Sequence, residues 1–216
     1  MGSASESLVL VSGFGPFESH EINPSGEVAR ALAADPPPGA RVRSGVLPVS
    51  FARAPEVWDE LLTGLHDKGE RPVLYLGLGV AKRAGYRLER FAKPGLKLVP
   101  RVDVDGRDAR EFTRSGPRLE SGLDLVRLLA ALRRRGVLDA RISRTAGGYV
   151  CERIYHHLLV RAAEHGVVGL FLHVPPMRLD PIERQLQVAT WVLGEALALV
   201  TARAQSSSSV ERTSSG

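Results

Sequence analysis

Val167-Val168-Gly169-Leu170-Phe171-Leu172-His173, followed by Val174-Pro175-Pro176, decides the fold class. It is apolar at every position up to a terminal histidine, is too short for a buried helix, and is closed by a rigid proline pair. Such a run reads as a strand buried on both faces, as in a parallel sheet covered by helices. Working outward, Leu8–Ser12 (LVLVS) and Val73–Leu78 (VLYLGL) have the same character, and 42–49 and 140–143 read as further strands. Between them lie helical patterns. Asn23-Pro24 combines an N-cap with proline at the first helical position and opens a helix to about Ala34. A second helix covers 51–65 with Trp58, Leu61, Leu62 and Leu65, and others cover 121–135 and the stretch after Cys151. Asp180-Pro181-Ile182-Glu183 unites a cap, a first-turn proline and a capping-box glutamate. The helix that it opens runs to about Ala204, with Ile182, Leu186, Ala189, Leu193, Leu197 and Val200 along one face. Strands bounded by helices imply an α/β fold with a mainly parallel central sheet covered on both faces.

A chain of 216 residues, 44% apolar and 25% charged, suits one globular domain with a full core. The expected division is a flexible 1–7, a single catalytic α/β domain over 8–204 and a disordered serine-rich tail over 205–216. The apolar stretches are broken by charge or glycine before bilayer length, so no membrane span and no membrane partner is expected. The opening MGSASES lacks a basic segment followed by an apolar one, which argues against a secretory leader. The net charge is +5. Its basic residues are scattered, and the tight run Arg133-Arg134-Arg135 reads as the cationic end of a helix rather than a nucleic-acid patch. The stretch 92–118, rich in charge, glycine and proline, reads as a long surface excursion that could hold a short hairpin.

In an open α/β sheet, sites form at the carboxyl ends of strands. Cys151, the single cysteine, rules out an internal disulfide and fits a cytoplasmic location. It follows Ser143–Val150, a strand end and small-residue turn leading into a helix. A helix N-terminus favours a thiolate, and the backbone around Gly147 and Gly148 could contact an oxyanion or shape the loop. Position alone leaves Cys151 equally readable as a small buried hydrophobe. His173, at the end of its strand, suits a general base toward Cys151, although by itself it reads as a histidine satisfied by the backbone. Glu89 suits an acid that orients His173, although by itself it reads as one member of a surface ion pair. Gly77-Leu78-Gly79 fails as a dinucleotide fingerprint because Lys82 stands where a third glycine is needed. No zinc-ligand spacing and no Gly-x-Ser-x-Gly elbow occurs, so neither metal nor cofactor is expected.

Four blocks together resemble the pyroglutamyl-peptidase I (pyrrolidone-carboxylate peptidase) family, over about residues 8–200. They are Ser12–Phe17 with Asn23-Pro24-Ser25, Glu89-Arg90-Phe91-Ala92, Ser143–Cys151, and Phe171-Leu172-His173-Val174-Pro175. The resemblance implies a three-layer α/β/α sandwich of the phosphorylase/hydrolase type. It implies a cysteine omega-peptidase that cleaves after an N-terminal pyroglutamyl residue through a thioester. Cys151 would be the nucleophile, His173 its base and Glu89 the orienting acid. Phe14, Phe17 and Asn23 would contact the lactam, whose lack of a charged amine calls for ring stacking and hydrogen bonds. A homo-oligomer, commonly a tetramer, is also implied. The chain departs from the pattern at Pro94, at Glu152, over 93–118, and in the loop Val80–Arg87, which is bulkier and more basic. Those departures keep two alternatives open, a weakly active or inactive peptide-binding relative and a thiol amidase for another small acyl group.

Overall fold

The computed structural model describes residues 6–17, 21–96 and 102–213, with the side chains of 206–213 outside that description. In chain order the elements are β1 (Ser7–Phe14), α1 (Pro24–Ala34), β2 (Ala40–Leu47), α2 (Arg53–His66), β3 (Leu74–Val80), β4 (Arg87–Glu89), β5 (Phe91–Ala92), β6 (Leu119–Glu120), α3 (Leu125–Arg134), β7 (Arg141–Ser143), α4 (Val150–His165), β8 (Val168–Val174) and α5 (Ile182–Thr213). The main sheet runs β2-β1-β3-β8-β4-β7. β2, β1, β3 and β8 are mutually parallel. β4 lies antiparallel to β8 and parallel to β7, so the sheet is mixed but mostly parallel.

The alternation of side chains along each strand divides the core in two. Val9, Val11, Leu74, Leu76, Leu78, Leu170, Leu172 and Val174 face α1, α3 and α5. Leu10, Tyr75 and Phe171 face α2 and α4, where Trp58, Leu62, Ile154, Tyr155 and Leu158 meet them. On this second face glycines replace bulk. A Cβ at Gly77 would lie 2.4 Å from the Phe171 ring, and one at Gly169 would lie 2.6 Å from Leu159. Helix α4 therefore packs close on the sheet, and its first turn comes down beside the ends of β3 and β8.

Several local readings change. β4 begins at Arg87, the last residue of the expected loop, and continues through Leu88 and Glu89, for which the sequence indicates no element because three residues are too few to show a period. The 92–118 excursion is closed at its base by the β5–β6 ladder, with a 3₁₀ turn at Ala109–Glu111 and a bridge between Val102 and Asp108. Its residues 97–101 fall outside the described residues. The Arg133–Arg135 run does close α3, and Arg135 pairs with Glu195 at 2.8 Å. Helix α5 continues to Thr213, past Ala204 and through serines expected to be disordered. A helix already nucleated by packed residues propagates at low cost through serine, whose helix propensity is only modestly poor. Residues 1–5 and 214–216 of the expected flexible ends fall outside the described residues. The α5 segment Ile182–Gln205 also reaches the length and apolarity of a membrane span, with mean hydropathy 1.2, contrary to the sequence expectation. Its stripe of Val188, Ala189, Val192, Leu193 and Ala196 is fully buried in the core, which accounts for the apolar composition.

Candidate active site

Cys151 stands in the first turn of α4, one residue after its start. No side chain caps this helix at Tyr149. The amide groups of its first turn therefore have no acceptor within the helix, and positive backbone potential gathers at the thiol. Below the thiol lies Gly79, where a Cβ would come within 3.0 Å of Cys151 Sγ and of the Phe171 ring. Any side chain at position 79 would displace the sulfur. The sequence reading used Gly79 only as part of a failed nucleotide motif. Its role as floor beneath the thiol depends on a register between β3 and α4 that no local pattern reveals.

His173 is paired in register with Gly79 on one side and Arg87 on the other, so all three present to the face that α4 covers. Its Nδ1 lies 2.8 Å from Glu89 Oε1, and Cys151 is close enough for its side chain to act on the charge of the ring. Glu89 is fully buried at the end of β4, and its backbone carbonyl accepts a 2.7 Å bond from Tyr155 on α4. A carboxylate at Nδ1 fixes the proton on that nitrogen and leaves Nε2 for chemistry. Burial alone lowers the pKa of His173. The interaction with Cys151 and the hydrogen bond that the ring donates to Glu89, with the charge on each, outweigh that effect and raise it to about 9. The imidazolium is thus held between two acidic partners. Phe171 stacks edge-on against it at 5.0 Å.

The three sequence candidates therefore converge. The surrounding candidates divide. Phe14 and Phe17 line the same cleft, of about 970 Å³, as Cys151 and His173. Phe17 packs on Tyr149 with centroids 5.9 Å apart, and Tyr149 packs on Phe51 at 5.0 Å. Asn23 also lines the cleft, but its side chain is already engaged. Its Oδ1 caps α1 through the Ser25 amide and accepts from the Ser25 hydroxyl, while Nδ2 donates to the Gly15 carbonyl at 2.9 Å. In this structure it shapes the β1–α1 turn. Gly147 and Gly148 adopt positive φ of 101° and 74°, which only glycine takes without strain. The Gly148 N–H is bound to Glu152 Oε2 at 3.1 Å and so is committed to the loop, not to an oxyanion.

Glu152, noted in the sequence only as a departure from the family pattern, has a structural role that no local pattern shows. It is fully buried. It accepts from the Gly148 amide and from Thr145 Oγ1 at 2.7 Å, and from the Lys93 amide at 2.8 Å. One carboxylate thus ties the loop before Cys151 to the strand that follows Glu89. In sequence it stands out only as a departure from the family pattern, because an acid in the first turn is a signal shared by most helices.

Comparison with known proteins places the chain as a whole. The pyroglutamyl peptidase family model matches residues 7–208. The chain belongs to the pyroglutamyl peptidase family. It is 35% identical over 185 residues to a pyrrolidone-carboxylate peptidase of Streptomyces coelicolor, covering 77% of each chain. It is 33% identical over 180 residues to pyrrolidone-carboxylate peptidase 1 of Ralstonia nicotianae, again covering 77% of each. Among solved structures it resembles the pyrrolidone carboxyl peptidase of Pyrococcus furiosus, with a TM-score of 0.78 and 27% identity over 89% of this chain and 99% of that one. The family is one of cysteine peptidases, and the free thiol of Cys151 is the only cysteine this member has.

Proposed function

We propose that the protein is an omega-peptidase that hydrolyses the amide bond following an N-terminal pyroglutamyl residue, with Cys151, His173 and Glu89 as its catalytic groups. The observation that carries this reading is the buried Glu89–His173 pair set beside the partly exposed Cys151 thiol, in a cleft walled by aromatic rings. The Cys151 thiolate attacks the pyroglutamyl carbonyl carbon, and the carbonyl oxygen becomes an oxyanion. The first-turn amides of α4, Cys151 N–H foremost, stabilise that charge. On collapse the C–N bond breaks and His173 Nε2 delivers its proton to the departing amine. The acyl group remains as a thioester on Sγ. Neutral His173 then takes a proton from water, whose oxygen attacks the thioester. Free pyroglutamate leaves, and the thiolate and imidazolium are restored. Glu89 holds the ring in register throughout. Phe14 and Phe17 supply apolar faces for an uncharged lactam ring.

The lone cysteine and the dependence on a free thiol favour a reducing cytoplasm as the site of action, and a homo-oligomer, a tetramer included, completes the proposal. The test of function is release of the fluorescent amine from pyroglutamyl-aminocoumarin under reducing conditions. Turnover by wild type, absent in Cys151→Ala and reduced in Glu89→Gln, is the expected result. A folded wild-type protein that releases no amine would overturn the reading.

A further inference from the structure

The cleft carries a strong charge imbalance. Lys82, Arg83, Arg87, Arg141 and Arg178 line it, and among the described lining residues there is no carboxylate. None of these five cations makes an ion pair or side-chain hydrogen bond among the described residues, whereas the basic residues on other faces are often paired, as in Arg41–Glu70, Arg53–Asp105 and Arg161–Asp59. Arg87 is the most enclosed of the five, and its Nε is sealed from solvent with no acceptor. Burial lowers its pKa, and the neighbouring charges of Arg141 and Arg83 lower it further, with Glu89 acting the other way. Glu89, the one carboxylate that acts on Arg87, offers Oε1 to His173 and makes no ion pair with the arginine, and Asp180 is held by the Tyr86 hydroxyl. Three like charges, on Arg83, Arg87 and Arg141, thus crowd beside a single carboxylate.

Their position relative to the chemistry is ordered. Across the sheet, Phe14 ends β1, Gly79 beneath Cys151 ends β3, His173 is on β8, Arg87 is on β4, and Arg141 is paired with Arg87 on β7. Neighbouring strands are about 4.8 Å apart, so Arg87 and Arg141 start about 5 and 10 Å beyond His173. The proposed function sets the acyl group against Phe14 and Phe17, on the aromatic side of the thiol. The leaving amine must meet His173, so the segment after the scissile bond is directed toward the cations. One or two extended residues, at about 3.5 Å each, cover that distance.

We propose that the cleft selects pyroglutamyl peptides that bear a carboxylate in the first residues after the scissile bond, received by Arg87 and Arg141 with Arg83, Lys82 and Arg178 around them. This rests on the pyroglutamyl-peptidase reading and adds the substrate class. The carboxylate can come from an acidic side chain or from the free C-terminus of a dipeptide. Because most of the cations are exposed, each contact contributes modestly and is screened by salt.

The experiment compares kcat/KM for pyroglutamyl-glutamyl amide, pyroglutamyl-alanine with a free carboxylate, and pyroglutamyl-alanyl amide. In parallel, titration calorimetry measures binding of the same peptides to Cys151→Ala. At low salt, about a tenfold preference for the carboxylate-bearing peptides over the neutral amide is expected, shrinking at 0.5 M salt to about twofold. The two acidic peptides separate the sources of the carboxylate. Arg141→Gln and Arg83→Gln should each lower the ratio of acidic to neutral kcat/KM several-fold, a shift that a general loss of activity would not produce. Turnover of all three peptides at equal kcat/KM in both salts overturns the proposal and leaves the peptidase reading standing. If no peptide is turned over, the peptidase reading fails. Calorimetry then decides the cleft by itself: salt-sensitive tighter binding of the acidic peptides supports carboxylate selection, and equal binding refutes it.

Discussion

Glu89 with His173, and Arg87 with Arg141, lie on the same face of one sheet and within a strand or two of each other, yet their charges are treated in opposite ways. Glu89 and His173 are buried and bonded to each other. Arg87 and Arg141 face the cleft with no protein partner among the described residues. The difference separates two uses of charge. A charge that must hold a geometry is paired and removed from water. A charge that must receive a ligand is left uncompensated at the mouth. Glu152 belongs with the first kind: it does not line the cleft, and it holds the loop that leads into α4.

The comparison breaks most sharply at Cys151. Cys151→Ala should abolish turnover, a loss of at least about 10³-fold, while thermal unfolding changes little because the thiol is only partly buried. Glu89→Gln keeps the shape but removes the charge that fixes the His173 tautomer. We expect kcat to fall roughly 10²- to 10⁴-fold. Glu152→Ala strips acceptors from the Gly148 and Lys93 amides and from Thr145, and should cost about 3 kcal/mol in urea unfolding together with a reduced kcat. Unchanged stability in that variant would remove Glu152 from the paired class.

The smaller effects concern pH. The pKa of His173 is raised from 6.5 to about 9, so the stability drawn from its pairing is complete below about pH 6.5 and is lost as pH rises through about 9. Acylation needs the same proton for the leaving amine. The pH profile of kcat/KM for the neutral aminocoumarin substrate should therefore fall above about pH 9, and Glu89→Gln should move that fall to lower pH. A basic limb unmoved by Glu89→Gln would assign the titration to another group. At the cationic end, the acidic-to-neutral substrate ratio shifts only several-fold, the smallest of the expected effects.

The parallel core was legible because Leu8–Ser12, Val73–Leu78 and Val167–His173 are apolar without interruption, a pattern that a sheet buried on both faces imposes. Cys151, His173 and Glu89 could be named, since each lies at or near a strand end, though alone each had a plain structural reading. Other features depend on contacts distant in sequence. Gly79 is needed because α4 descends onto β3, and that packing leaves no local trace. Strand β4 is three residues long and gains its place from β8 and β7. The β5–β6 ladder joins residues nearly thirty apart through two pairs. Glu152 resembles any first-turn acid until the amides that it accepts from are placed around it. The basic loop Val80–Arg87 could be seen as unusual, but its unpaired state could not, because the absence of partners is a property of the fold.

The central claim is that Cys151 carries the acyl group. Wild-type protein mixed with pyroglutamyl-aminocoumarin, quenched in acid and digested, should give by mass spectrometry a Cys151 peptide bearing a pyroglutamyl thioester that hydroxylamine removes. Turnover that proceeds with Cys151 unmodified, and persists in Cys151→Ala, would contradict the account.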